Sequence, residues 1–562
     1  MLAKSIFYLF IFKLLFLIVI SDEIVPKVRI AQGEMQGKVM TNLLGGEFFG
    51  FQGIPYAKPP IGSLRFKSPE PAEPWTGILN ATQEGADCFQ MTLFPEGYFK
   101  GSEDCLFINV YTPKLPETPN DSLKPVMVLL HGGGYIFGNG GTTLYGPEFL
   151  LTQDIVYVGF NYRLNVFGFL SFEDPTIGVP GNAGLKDMVQ ALKWVQANIA
   201  SFGGDPNKVT IFGESAGGAS VAFMLLSPSA KGLFHRAISQ SGVATVPWVL
   251  NDRQYQFLAE NLKYPGKNLS DQQSIFEFLN NTSTEELIRA QLALDDHPSR
   301  SMGQYGQVGP VVENPESNPD AFLTDHPETI LKSGPINQVP YILGFLRDEG
   351  ALFLLYTKFI EPNFTDSNLL VPKFINVTRG TPENKEIGDK IKQFYYGDTT
   401  PSYENIKPFI EMTTDIAFSH KIVQTAKRLL ERMTDPIYFY YFQYKTDMNY
   451  MSEIIPFPVD IPYPVVVHAD DNGYLFPFSY GPIDVEPDSV EMRGIHRMVK
   501  FWTNFARTGN PNTMDNDPLL DVKWPAARLD HFNYLNLQDN LTVEPLSNLI
   551  PERLAFWNAL DK

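Results

Sequence analysis

The residue best placed to do chemistry is Ser215, in the stretch Phe202-Gly-Gly-Asp-Pro-Asn-Lys-Val-Thr-Ile-Phe-Gly-Glu-Ser215-Ala-Gly-Gly218. Val209 to Phe212 is a β-branched and aromatic run suited to a buried strand, and Ala219 to Leu226 is apolar enough to begin a buried helix. Between them the serine must sit on a sharp turn, and Gly213 and Gly217 keep its flanks small. A serine hydroxyl is a poor nucleophile at its own pKa, so it needs an imidazole to take its proton and a carboxylate to hold that imidazole's tautomer. Two adjacent acids, Asp348 and Glu349, lie just beyond the apolar run Val339 to Phe345. Four of the eight histidines follow them. His420 and His496 fall in helical patterns, His531 precedes the run Phe532 to Leu537, and His468 sits in a loop-like setting between Val467 and Ala-Asp-Asp-Asn-Gly. Acyl transfer also needs backbone N–H donors for the developing oxyanion. Gly133 and Gly134 would let the main chain approach a substrate; the alternative is a plain glycine turn.

These segments resemble the type-B carboxylesterases, the cholinesterase-like branch of the α/β hydrolases. The match rests on Phe202 to Gly218 and on Glu103-Asp-Cys-Leu-Phe-Ile-Asn-Val-Tyr-Thr-Pro113. It continues through His131-Gly-Gly-Gly134, Asn161-Tyr-Arg-Leu164, Gln240-Ser-Gly242, Asp348-Glu-Gly350 and Thr508-Gly-Asn-Pro511. The resemblance implies an α/β-hydrolase fold with the order nucleophile, acid, base. It implies Ser215 as nucleophile, Glu349 rather than Asp348 as the acid, and His468 as the base. Gly133, Gly134 and Ala216 would form the oxyanion hole. Glu214 would lie beside the base, Trp248 and Phe353 would shape the substrate pocket, and Asp471 resembles a second acid behind the histidine. The expected reaction is two-step acyl transfer to and from Ser215, without cofactor or metal, on a small-molecule ester.

The departures narrow the choice. Cholinesterases hold choline by cation–π attraction on a tryptophan in the first disulfide loop, and the sixteen residues between Cys88 and Cys105 contain none. Juvenile hormone esterases usually carry Gln where this chain has Glu214, and Val465 stands where Gly is usual. The overall look is that of insect secreted carboxylesterases. A juvenile hormone esterase-like or lipase activity is the alternative, and a non-catalytic adhesion or binding protein is the contrary class, since the fold also hosts such members. Every triad position is present here.

Stepwise alternation of strand and helix must position these groups. Leu106 to Tyr111, Val126 to Leu130, Ile155 to Phe160, Val209 to Phe212, Ala237 to Ser239 and Val339 to Phe345 read as central strands, Ile437 to Tyr444 and Phe532 to Leu537 as late ones. Val28 to Val39 and Gly46 to Tyr56 read as N-terminal strands, and the helices include Gly184 to Ser201 and Val490 to Arg507. This predicts a mostly parallel sheet covered on both faces. Two helical insertions, Asn251 to Asp325 and Phe359 to Met433, would build the wall of the site. With 562 residues and no long linker, the chain reads as one domain over residues 22–562.

A net charge of −19 argues against nucleic acid or an anionic membrane as partner. Residues 1–21 form a basic-then-apolar stretch that ends in Val19-Ile-Ser21 and reads as a cleaved signal peptide; Lys13 interrupts an apolar run too short for a stable membrane anchor. The expected destination is extracellular. N-glycosylation sequons begin at Asn80, Asn120, Asn268, Asn280, Asn281, Asn363, Asn376 and Asn540. The only two cysteines, Cys88 and Cys105, are expected to pair on that route.

Overall fold

The computed structural model describes residues 25–561 except 93–96, 252, 294–307, 360–364, 456, 458–459, 462, 478–484 and 513–516. The signal-peptide stretch 1–21 and the sequon at Asn363 lie outside the described residues.

Among the described residues, eleven strands form the main sheet. In chain order they are β1 (Lys38–Thr41), β2 (Glu47–Pro55), β3 (Phe107–Thr112), β4 (Lys124–Leu129), β5 (Val156–Phe160), β6 (Gly204–Glu214), β7 (Arg236–Gln240), β8 (Tyr341–Leu346), β9 (Ile437–Phe442), β10 (Asn533–Leu537) and β11 (Thr542–Pro545). Their spatial order is β11-β10-β9-β8-β7-β6-β4-β5-β3-β2-β1. From β10 across to β5 every pairing is parallel; the outer pairings, β10 with β11 on one side and β5-β3-β2-β1 on the other, are antiparallel. The central strands are apolar without alternation because both faces are covered. In β4, Val126 and Val128 enter one buried cluster with helices α1 (Ala183–Asn198) and α2 (Ala216–Leu226). Met127 and Leu129 enter the other.

Helix α1 stops where Gly203, at φ 83°, ends its short 3₁₀ extension. The second insertion supplies α3 (Pro382–Tyr396), α4 (Lys407–Thr414), a π-helical turn Asp415–Ser419, and α5 (His420–Leu430). Helix α6 (Val490–Thr508) covers the second face through Ile495, Met498, Phe501 and Trp502, and α7 (Pro551–Leu560) closes the chain. The strand and helix cores match the sequence expectations with shifts of a few residues. Helix α2 starts at once after Ser215 instead of at Ala219, and the edge strand β11 was not expected.

All the catalytic candidates follow C-terminal ends of strands. Gly133 and Gly134 follow β4, Ser215 immediately follows β6, Glu349 follows β8, and His468 lies in the loop after β9. In open parallel sheets this is the edge at which ligands bind.

Candidate active site

Ser215 has φ 60° and ψ −125°, a backbone conformation that L-residues rarely adopt. The turn is held from both sides, with Ser215 N–H donating to Gln240 O at 2.8 Å and Ser215 O accepting from Ala219 N–H at 2.8 Å. A methyl group on Gly213 or Gly217 would collide with the carbonyl of Leu130, so the serine can be pressed against β4 only with glycine on each flank. The strain at one residue is thus imposed by close packing of its neighbours.

His468, 4 % exposed, lies with its Nδ1 2.5 Å from Oε2 of Glu349. Glu349 is fully buried, and its other oxygen accepts from Ser241 Oγ at 2.5 Å and from Leu346 N–H at 2.7 Å. Three donors therefore fix the carboxylate, and the carboxylate fixes the imidazole with its Nδ1 protonated. Asp348 is turned elsewhere. Its carboxylate accepts from Val466 N–H at 2.9 Å and from Arg347 Nε at 2.8 Å, and its own N–H donates to Val466 O at 3.0 Å. It pins the loop that carries His468 but does not touch the imidazole. The geometry brings Glu349, of the two adjacent acids, to the histidine.

The second ring nitrogen, Nε2, stands 2.9 Å from Oε1 of Glu214, yet neither atom meets hydrogen-bonding geometry there. Among the described residues Nε2 is a buried polar atom without an aligned hydrogen bond, lying against the carboxylate of the residue that precedes Ser215. Burial alone pushes the His468 pKa down, but Glu214 and then Glu349 outweigh it and raise it above the ordinary histidine range. Asp471, fully buried, accepts from Gln240 Nε2 at 2.8 Å and from Tyr440 hydroxyl at 3.2 Å. Burial pushes its carboxyl up to about 7, with Glu214 and Glu349 adding to the rise. The neighbouring Asp470 caps the loop, accepting from Val467 N–H at 2.8 Å and Ser452 N–H at 3.0 Å.

Gly133 has φ 105°, and a methyl group there would run into the Phe137 carbonyl. Gly134 has φ 60°. Among the described residues, no backbone acceptor takes the N–H of Gly133, Gly134 or Ala216, the last because it opens α2. Beneath the glycines His131 is buried, and burial lowers its pKa to about 4. It is a packed neutral ring, stacked on Tyr162 at 4.1 Å.

Trp248 and Phe353 do lie near the base, joined to it through a residue that the sequence reading missed. Phe418 sits 4.6 Å from the His468 ring, 5.9 Å from Trp248 and 6.1 Å from Phe353, measured between centroids. Phe418 belongs to the π-helical turn, a local form enriched at functional sites. Ser241 and Gln240 were also missed as site residues, although they belong to a motif quoted above. Trp502 donates to Gln240 Oε1 at 3.3 Å, which orients the amide toward Asp471.

The other candidates fall as follows. Cys88 and Cys105 form a disulfide. Asn80, Asn120, Asn268, Asn281, Asn376 and Asn540 are exposed, whereas Asn280 is partly buried and its side-chain oxygen is enclosed without a partner. His420 pairs with Asp561 and His496 with Asp517, and His531 is exposed; of the four histidines downstream of Glu349, His468 is the one whose ring meets that carboxylate. Among the described residues no group of His, Cys, Asp or Glu could hold a metal ion, and no helix is long and apolar enough to cross a membrane.

The model of the Carboxylesterase family matches residues 24–557. The chain is 35% identical over 537 residues to "Esterase FE4" of Myzus persicae, covering 93% of this chain and 92% of that protein. It is 34% identical over 558 residues to "Juvenile hormone esterase" of Tribolium castaneum, covering 95% and 93%. Among solved structures, juvenile hormone esterase from Manduca sexta with OTFP covalently attached superposes with a TM-score of 0.83 at 30% identity, covering 96% of this chain and 99% of that one.

Proposed function

The chain belongs to the carboxylesterase family and is a serine hydrolase of carboxylic esters, and from that premise we propose that Ser215, His468 and Glu349 carry the reaction. His468 Nε2 takes the proton of the Ser215 hydroxyl as its oxygen attacks the ester carbonyl. The N–H groups of Gly133, Gly134 and Ala216 stabilise the oxyanion, and Glu349 stabilises the imidazolium. His468 then returns the proton to the departing alcohol, leaving an acyl group on Ser215. Water, deprotonated by the same nitrogen, releases the acid and restores the hydroxyl. The observation that carries this reading is an imidazole whose Nδ1 is fixed by Glu349 and whose buried Nε2 has no hydrogen-bond partner among the described residues, lying 2.9 Å from the carboxylate of Glu214, the residue before a serine in a strained turn. The covalent ligand in the Manduca sexta structure fits a fold that works through a covalent intermediate.

We further propose that the substrates are general small carboxylic esters with the acyl group lodged against Trp248, Phe353 and Phe418, and that Glu214 separates this chain from juvenile hormone esterases. We assign residues 22–562 to one α/β-hydrolase domain. We assign secretion through residues 1–21 and glycosylation at exposed sequons on the sequence pattern and the disulfide. Hydrolysis of p-nitrophenyl butyrate by the wild type and by Ser215→Ala tests the site. Loss of turnover in a folded variant is the expected result, and equal rates in the two proteins would end the assignment.

A further inference from the structure

The π-helical turn Asp415–Ser419 touches three parts of the site at once. Phe418 packs on His468. Ala417 O accepts from Trp248 Nε1 at 3.0 Å. At the head of the turn Thr414 Oγ1 accepts from the N–H of Gly350, the residue after Glu349, at 2.9 Å. A π register is intrinsically uncommon and needs to be held in place. Asp415, 1 % exposed, does the holding. Its carboxylate accepts from Nε and Nη2 of Arg553 at 2.6 Å each, from Tyr395 hydroxyl at 2.5 Å and from Ser419 Oγ at 2.6 Å. Arg553 lies on α7, 138 residues along the chain, and it also donates to Glu411 O at 3.2 Å, in α4 just ahead of the turn.

We propose that the Asp415–Arg553 ion pair is a positioning clamp through which the C-terminal helix fixes the width of the acyl pocket and the seat of the His468 ring. The inference rests on the site assigned above. Successive residues of an α-helix are rotated by about 100°, so relaxation of the turn by one residue swings Phe418 off the imidazole. The pocket then admits longer acyl chains while the base loses its packing partner. Removing Arg553 leaves a buried carboxylate without its countercharge, which supplies the drive for that relaxation.

The test compares p-nitrophenyl acetate with p-nitrophenyl octanoate in wild type, Arg553→Met and Arg553→Lys, with circular dichroism and thermal midpoints recorded for each. Arg65→Met, which breaks the buried pair with Glu103 near the disulfide, is the control for general destabilisation. Arg553→Met is expected to raise the octanoate-to-acetate ratio of kcat/KM about five-fold or more and to lower kcat on acetate, with Arg553→Lys between it and wild type. A folded Arg553→Met whose ratio stays within about two-fold of wild type overturns the proposal, as does an equal shift in Arg65→Met. If Arg553→Met does not fold, Tyr395→Phe and Ser419→Ala carry the test, since each removes one neutral donor. Each is expected to shift the ratio about two-fold in the same direction, and unchanged ratios in both overturn the clamp. An active Ser215→Ala would instead strike the site assignment, a failure distinct from an unchanged ratio in Arg553→Met, and would overturn the clamp with it.

Discussion

His468 and Glu349, 119 residues apart, meet at 2.5 Å through Nδ1 and Oε2, while the neighbouring Asp348 faces the backbone of Val466. The two acids thus divide the labour, one orienting the base and the other holding the loop that presents it. Glu349→Gln is expected to lower kcat about 10³- to 10⁴-fold with KM little changed, because an amide no longer selects the productive tautomer. Asp348→Asn is expected to cost about 1–3 kcal/mol of stability with a much smaller fall in kcat. Steady-state kinetics and urea unfolding on both variants check the division; a larger kcat loss in Asp348→Asn would reverse the assignment of the acids.

Glu214 sets where the enzyme switches on with pH. Its carboxylate, 2.9 Å from His468 Nε2, favours the imidazolium and so raises the histidine pKa. The base works only when neutral, so activity falls as pH drops through that pKa. Replacing the anion by an amide lowers the pKa, and the acid limb of kcat/KM in Glu214→Gln is expected to move to lower pH by about 1–3 units. An unmoved limb, or one moved upward, would show that Glu214 does not act on this imidazole.

The elbow could be read from the sequence because its physical requirement, glycine on both flanks of a serine between strand and helix, is local. The choice of Glu349 over Asp348 was not local. Both follow β8, and only the fold decides which carboxylate turns toward His468, so the resemblance had to supply it. Phe418 was hidden for another reason. It sits in an apolar, helix-like run, and nothing in that periodicity reveals that five residues wind as a π turn; the four hydrogen bonds to Asp415 that hold the turn come from Ser419 within it, from Tyr395 twenty residues before, and two of them from Arg553, 138 residues along the chain. Strand β11 was missed because Thr542–Pro545 is short, partly exposed and ends in proline.

Gly133 tests the oxyanion donors directly. Its φ of 105° is open to glycine alone among common residues, and a methyl group would meet the Phe137 carbonyl. Gly133→Ala is therefore expected to displace the N–H groups of 133 and 134 together and to lower kcat about 10²- to 10³-fold, with stability reduced less than activity. Competitive binding of a trifluoromethyl ketone, whose adduct uses the same donors, should weaken in parallel. Unchanged affinity for that compound in a folded variant would remove Gly133 from the oxyanion hole.

The disulfide supports the same donors from outside. Between Cys88 and Cys105 the chain carries the strand Gln90–Met91, and Gln90 clasps the far end of the glycine loop. Its Nε2 donates to Gly138 O at 2.9 Å and its Oε1 accepts from Gly138 N–H at 2.8 Å. Gln90 also donates to Cys88 O at 2.9 Å, so the clasp is tied to the half-cystine itself. Closing a loop of 17 residues restricts the unfolded chain by about 3 kcal/mol in the loop-entropy picture. The double variant Cys88→Ser, Cys105→Ser is expected to lose stability on that order and also to lose kcat more than it gains KM, because the clasp on Gly138 loosens. Gln90→Leu, which keeps the disulfide, is expected to reproduce the kcat loss with a smaller change in stability. If the double variant unfolds more easily but turns over at the wild-type rate, and Gln90→Leu does the same, the disulfide serves the fold alone and the glycine loop is held by β4 and His131 without it.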